Sequence, residues 1–134
     1  MTQTATGTFK VDMKPLSDSA GDSSSDARLG RMSLDKTFEG DLVGTGKGEM
    51  LTAMTATKGS AGYVAIERVT GTLHGRRGSF VFQHTGTMDR ASPSLSISVV
   101  PDSGTGELAG LSGSFKIDIV GGAHNYVFSY SLPA

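Results

Sequence analysis

The strongest structural signal in the chain is the stretch YVAIERVTGTLHGRRGSFVFQHTGTM, residues 63–88. Apolar and polar residues alternate along 63–73 and again along 79–88, which is the period of a β-strand with one buried face. Between them, the residues HGRRG at 74–78 supply the glycines that a tight turn needs. The stretch therefore predicts a β-hairpin.

The position of the turn determines which residues face each other across this hairpin. With Gly75 and Arg76 as the two loop residues, Glu67 lies opposite His84, whereas with His74 and Gly75 the pairing shifts by two residues. The side of the sheet to which each side chain points is the same in both registers. A bulged turn of three residues would break this parity.

The hairpin has two chemically different faces. In both registers the carboxyl group of Glu67 and the imidazole of His84 share one face with the apolar residues Val69, Phe80 and Phe82. The other face carries Val64, Ile66, Arg68, Thr70, Val81 and Gln83. We expect the face rich in phenylalanine to be the interior, because large aromatic side chains gain most from leaving water.

Similar alternation extends from the hairpin towards both ends of the chain and predicts about eight consecutive strands joined mostly by short turns. No helical period is sustained over about ten residues, and at most residues 106–111 form a single turn. This pattern favours an all-β fold, a closed and mainly up-and-down antiparallel barrel, because closure removes the open edges of a sheet. An eight-stranded barrel holds side chains and at most one small ligand in its interior.

Composition supports this fold and bounds the core. The chain has 19 glycines, no tryptophan and nine other aromatic residues, so we expect a core built mainly of Val, Ile, Leu and Met. In the third predicted strand, residues 42–57, the glycines Gly44, Gly46 and Gly48 leave one face nearly bare. Such a face either admits a neighbouring side chain or leaves space for a ligand.

Length and charge limit the organisation and the partners. With 134 residues and 13.8 kDa, the chain is predicted to form one domain, with a flexible Ser/Asp-rich loop at about 15–27 that is either solvated or a lid. The absence of cysteine excludes a catalytic thiol and thiolate metal sites. The formal net charge is −1, so the chain lacks the excess positive charge that is typical of proteins that bind nucleic acid or an anionic membrane surface. No apolar run spans a bilayer and no signal peptide is evident, so we expect a cytoplasmic protein.

Four blocks of the sequence carry a family resemblance. They are ATGTF at 5–9, KTFEGDL at 36–42, the segment from Glu67 to Thr87, and VPDSGTGELAGLSG at 100–113. The last block resembles a signature of the allene oxide cyclase and dirigent barrel superfamily. The whole chain is similar to an uncharacterised bacterial family of unknown function with that barrel. The resemblance implies a closed, calycin-like barrel of about eight strands with a cavity, often assembled into oligomers, but it implies no particular reaction.

The main candidates for chemistry are Glu67 and His84. A carboxylate and an imidazole close together among phenyl rings can act as an acid–base pair, so both are candidate catalytic residues. The same pair can also be a purely structural buried hydrogen bond, or it can face outwards. Candidate ligand-binding residues are Tyr63, Val69, Phe80, Phe82 and Tyr126.

Other constellations are weaker. Arg68 and Gln83 lie on the opposite parity, where they suit an oligomer contact or, if that face is interior, a carboxylate ligand. His74, His84 and His124 lack the spacing by which one element presents two metal ligands, so we predict no metal site. The GTG segment has no Walker lysine, which argues against nucleotide binding, and no cofactor is expected.

Three functions follow from these observations. The barrel binds a small apolar molecule that Glu67 orients, or it is a cofactor-free isomerase or cyclase in which Glu67 and His84 move a proton. Alternatively, it is a non-catalytic assembly module whose interior is filled by its own side chains. In all three cases we expect a homo-oligomer.

Overall fold

The computed structural model describes residues 2–16 and 28–133, and these form eight strands in one closed barrel. The strands are β1 (Thr2–Pro15), β2 (Arg28–Gly40), β3 (Leu42–Met54), β4 (Ala61–Leu73), β5 (Arg76–Asp89), β6 (Ser92–Val99), β7 (Ser112–Val120) and β8 (Ala123–Ser131). Each strand pairs antiparallel with the next, and β1 also pairs with β8. The predicted all-β, up-and-down barrel is thereby confirmed.

The sequence predicts at most one helical turn, at 106–111, and a loop at about 15–27. Residues 106–108 form a single 3₁₀ turn within the long β6–β7 connection, where the sequence allows at most one helical turn. Strand β1 extends to Pro15, and the remainder of the predicted loop, residues 17–27, lies outside the described residues. Within the described part of the chain, no helix is long and apolar enough to cross a membrane.

The β4–β5 hairpin adopts the second of the two predicted registers. His74 and Gly75 both have positive φ, 47° and 80°, which is the backbone of a two-residue type I′ turn. Glu67 therefore pairs with Phe82, and His84 pairs with Ala65. The register that placed Glu67 directly opposite His84 is wrong, because Arg76 belongs to β5 rather than to the turn.

The core is aromatic, which corrects the expectation of an aliphatic and methionine-rich interior. All six phenylalanines of the sequence are buried. Their rings pack closely, as shown by centroid distances of 4.8 Å between Phe82 and Phe115 and 5.2 Å between Phe115 and Tyr126. The methionines that line the interior lie instead towards one end of the barrel.

Removing one ring from this cluster is expected to destabilise the barrel strongly. Phe115→Ala leaves a cavity among rings that cannot fully collapse, and we expect a loss of about 3–5 kcal/mol in the free energy of unfolding. Urea denaturation followed by circular dichroism measures this loss. The control is Val43→Ala on the exposed face of β3, for which we expect a change within about 0.5 kcal/mol. Equal losses in the two variants would contradict an aromatic core.

Candidate functional site

The two ends of the barrel differ in how they are filled. At one end, here called the closed end, Leu42 and Leu73 pack against Leu108 and Leu111 from the β6–β7 connection, and all four are buried. The other end, called the open end, carries the turns that join β3 to β4, β5 to β6 and β7 to β8. Inward-facing residues near this open end surround a hollow, which is the candidate functional site.

The hollow has two adjoining halves that share Met50, Tyr63 and Leu95 in their walls. One half, called the basic half, has a volume of about 290 Å³ and contains three basic side chains among apolar ones: Lys36, His84 and His124. The other, called the methionine half, has a volume of about 330 Å³ and includes Met50, Met54 and Met88. Both volumes are near the lower bound for small-molecule sites.

Beneath the basic half lies a buried ionic group, called here the Glu67 cluster and formed by Lys36, Glu67 and His84. Oε1 of Glu67 lies 3.1 Å from Nζ of Lys36 and 2.9 Å from Nε2 of His84. The Glu67 side chain is 0% exposed, whereas Lys36 and His84 reach the wall of the hollow. The Lys36 ammonium also lies 5.0 Å from the centre of the Phe9 ring, a cation–π distance.

The missing side chain of Gly46 makes room for this carboxylate. A Cβ at position 46 would lie 2.2 Å from Oε2 of Glu67 and 3.0 Å from the ring of Phe38. The sequence predicted that the glycine face of β3 either admits a neighbouring side chain or leaves space for a ligand. At Gly46 the space is taken by the side chain of Glu67. Oε2 itself is buried and has no hydrogen-bond partner among the described residues.

The surroundings keep Glu67 ionised and Tyr63 protonated. Burial by itself raises the pKa of Glu67, but the hydrogen bond from His84 and the charge of Lys36 outweigh it, so that the pKa lies below its ordinary value. Burial raises the pKa of the Tyr63 hydroxyl, and the negative charge of Glu67 raises it further. The floor of the hollow thus contains a carboxylate compensated by an ammonium group.

The structure brings Glu67 and His84 together, as the shared face of the hairpin predicted, although they meet diagonally across β4 and β5. Of the five predicted ligand-binding residues, Tyr63 lines the hollow. The other four belong to the packed core: Val69, Phe80, Phe82 and Tyr126. The hydroxyl of Tyr126 accepts a hydrogen bond from the backbone N–H of Leu42 at 2.9 Å and donates to the carbonyl of Glu39, so it fastens the β2–β3 turn.

Sequence reasoning missed Lys36. Its signal was available, because residue 36 has the same strand parity as Leu34 and Phe38, two apolar residues that point inwards. A lysine on a buried parity requires an acidic partner inside the barrel. That partner is Glu67, two strands away.

The other candidates lie apart from the Glu67 cluster. Arg68 and Gln83 are exposed on the outer face, as their parity indicated. His124 packs on Phe9, with ring centres 5.1 Å apart, and lines the basic half. His74 lies at the closed end, where it contacts Tyr130. Over residues 2–16 and 28–133, no three His, Asp or Glu side chains are placed to hold a metal ion together.

An antiparallel barrel with a packed closed end and an ionic floor beneath an open hollow defines a class of small cavity-bearing β-barrels. Residues 5–130 match the family described as "Protein of unknown function (DUF3224)", and the chain belongs to this family. A comparison with curated proteins finds no match.

A solved structure of the same family is similar throughout. It is the crystal structure of a protein with unknown function from the DUF3224 family of Shewanella oneidensis MR-1, determined at 1.84 Å resolution. The two proteins are 51% identical, the match covers 100% of each chain, and the TM-score is 0.94. The predicted membership in a family of unknown function is therefore confirmed.

Breaking the Glu67 cluster from one side is expected to cost more than removing both of its charges. Lys36→Met leaves a buried carboxylate without its ammonium partner, and we expect a loss of about 3–5 kcal/mol in unfolding free energy. The double variant Lys36→Met/Glu67→Gln removes both charges and should recover much of that loss. Urea denaturation at pH 7 measures both variants. A double variant less stable than Lys36→Met would show that the ion pair is not the source of the effect.

The lowered pKa of Glu67 also predicts how stability depends on pH. Because the carboxyl binds protons more weakly in the folded chain, its contribution is complete above about pH 4.5 and is lost as the pH falls through the lower, folded pKa. We therefore expect the stability advantage of the wild type over Glu67→Gln to shrink below about pH 4.5. Unfolding titrations from pH 7 to pH 3 measure this difference, and carboxyl groups common to both proteins cancel. A stability difference between the wild type and Glu67→Gln that stays constant from pH 7 to pH 3 would contradict the lowered pKa of Glu67.

Proposed function

We propose that this protein binds a small, largely apolar molecule in the hollow at the open end of the barrel. The observation that carries the proposal is that the inward-facing side chains fill the closed end but leave two adjoining spaces of about 290 and 330 Å³ at the other. Mostly apolar walls with a few convergent polar groups are typical of ligand sites. The Glu67 cluster supplies those polar groups.

The structure also favours one version of the catalytic alternative. His84 lines the hollow and its Nε2 contacts Glu67, while its Nδ1 makes no hydrogen bond to any described residue. In an isomerase or cyclase, His84 would therefore be the residue that exchanges a proton with the substrate. Glu67, which is fully buried, would be a positioning residue that orients the imidazole through its contact with Nε2. The resemblance to allene oxide cyclases and dirigent proteins supports this alternative only at the level of the barrel.

The expected homo-oligomer remains a prediction. It is supported by the outward-facing Leu51 and Val64, which are paired across β3 and β4, and by Ile66, which is 53% exposed. An apolar strip of this kind is suited to contact with a second copy of the chain. Light scattering after size exclusion gives the number of copies. The cytoplasmic location likewise remains a prediction.

Filling the hollow is expected to prevent binding of an apolar probe. The inward side of β4 at the open end carries Ala61, which lines the methionine half. Ala61→Phe places a ring in that space, and we expect the affinity for the uncharged dye N-phenyl-1-naphthylamine to fall at least tenfold.

The matched control for this substitution is Thr70→Phe on the outward face of the same strand, which should bind the dye as the wild type does. Fluorescence titration measures the affinity and the stoichiometry. Binding that is equally strong in both variants, or that does not saturate, would contradict a ligand site in the hollow.

A further inference from the structure

The charges around the hollow are unevenly distributed. Lys36, His84 and His124 line the basic half, and no carboxyl group of the described residues lines it with them. The methionine half, apart from the shared Tyr63, contains no ionisable side chain among the described residues. A molecule that occupies both halves would therefore have one end among basic groups and the other among apolar ones.

The Glu67 cluster leaves hydrogen-bonding capacity on its side towards the hollow. An ammonium group has three N–H donors, and Lys36 donates one of them to Oε1 of Glu67. His84 donates its Nε2–H to the same oxygen, and in the imidazolium form its Nδ1–H is a second donor that remains for the ligand. Both residues line the basic half, whereas Glu67 does not.

We infer that the ligand is an amphipathic carboxylate, whose head binds to Lys36 and His84 and whose apolar chain passes Tyr63 into the methionine half. This inference rests on the proposed function, because it names the chemical class of molecule that the hollow takes. The head would form charge-assisted hydrogen bonds of the kind that carboxylates make with ammonium groups. The apolar chain would lie among methionine side chains, which are unbranched and adapt to irregular shapes.

A cationic head group fits the site less well. The carboxylate of Glu67 is fully buried, and its unpartnered Oε2 lies against Gly46 and the Phe38 ring rather than in the wall of the hollow. A cation would therefore meet the ammonium of Lys36 before it reached any acidic oxygen. The Tyr63 hydroxyl, whose pKa is raised, stays protonated and adds no negative charge.

The test compares three ligands that share one chain and differ in the head: decanoate, 1-decanol and decylammonium. Isothermal titration calorimetry at pH 7 and low salt is expected to give at least tenfold tighter binding of decanoate than of decanol, and weaker binding of decylammonium than of either. In Lys36→Met/Glu67→Gln, we expect the ratio between decanoate and decanol to fall to within about threefold. Two charges are removed together because a lone buried carboxylate endangers the fold.

The matched control is Lys47→Met, which removes an exposed lysine from the outer face of β3. It should keep the preference for decanoate. A preference that survives in the double variant, or that is lost in Lys47→Met, would overturn the assignment of the head group to Lys36.

The outcomes also separate this inference from the proposed function. Decanol that binds as tightly as decanoate, or decylammonium that binds more tightly, would overturn the carboxylate inference and leave the binding function standing. If none of the three ligands binds and N-phenyl-1-naphthylamine does not bind either, the proposed function itself fails.

Discussion

A carboxylate removed from water has to be compensated inside the protein, and the burial of Glu67 imposes this requirement on four neighbouring strands. Strand β2 supplies the ammonium of Lys36, β4 the carboxylate, and β5 the imidazole of His84. Strand β3, between β2 and β4, supplies only the space above Gly46. If β2, β4 or β5 were shifted by one residue, its charged or polar side chain would point to the outside of the barrel. The register of half the barrel is thus tied to one ionised group.

Much of the fold can be predicted from alternation along the chain. The aromatic and polar parities of β4 and β5 identify the interior face, and similar alternation elsewhere yields the number of strands. The expectation of an aliphatic core failed for a physical reason. Composition counts residues without regard to their place along a strand, whereas each phenylalanine occurs at a buried, inward position, where its ring joins the packed core.

The site is harder to predict than the fold. Its acidic and imidazole groups lie on one hairpin, where parity alone brings Glu67 and His84 to the same side. Lys36 joins them only through the pairing of β2 with β3 and of β3 with β4, which depends on the registers of two further hairpins. The hollow depends on how side-chain volumes add up at each level of the barrel, and periodicity contains no information about volume.

The separation of the packed end from the hollow end has a consequence for how members of this family can diverge. The packed leucine layer lies towards the turns after β2 and β4, while the residues that line the hollow lie near the opposite strand ends. Substitutions at positions such as Met54 and Met88 can change the shape of the hollow without disturbing the aromatic cluster. The barrel can therefore be inherited unchanged while the shape of its hollow changes, so under the proposed binding function two relatives with superimposable backbones need not share a ligand.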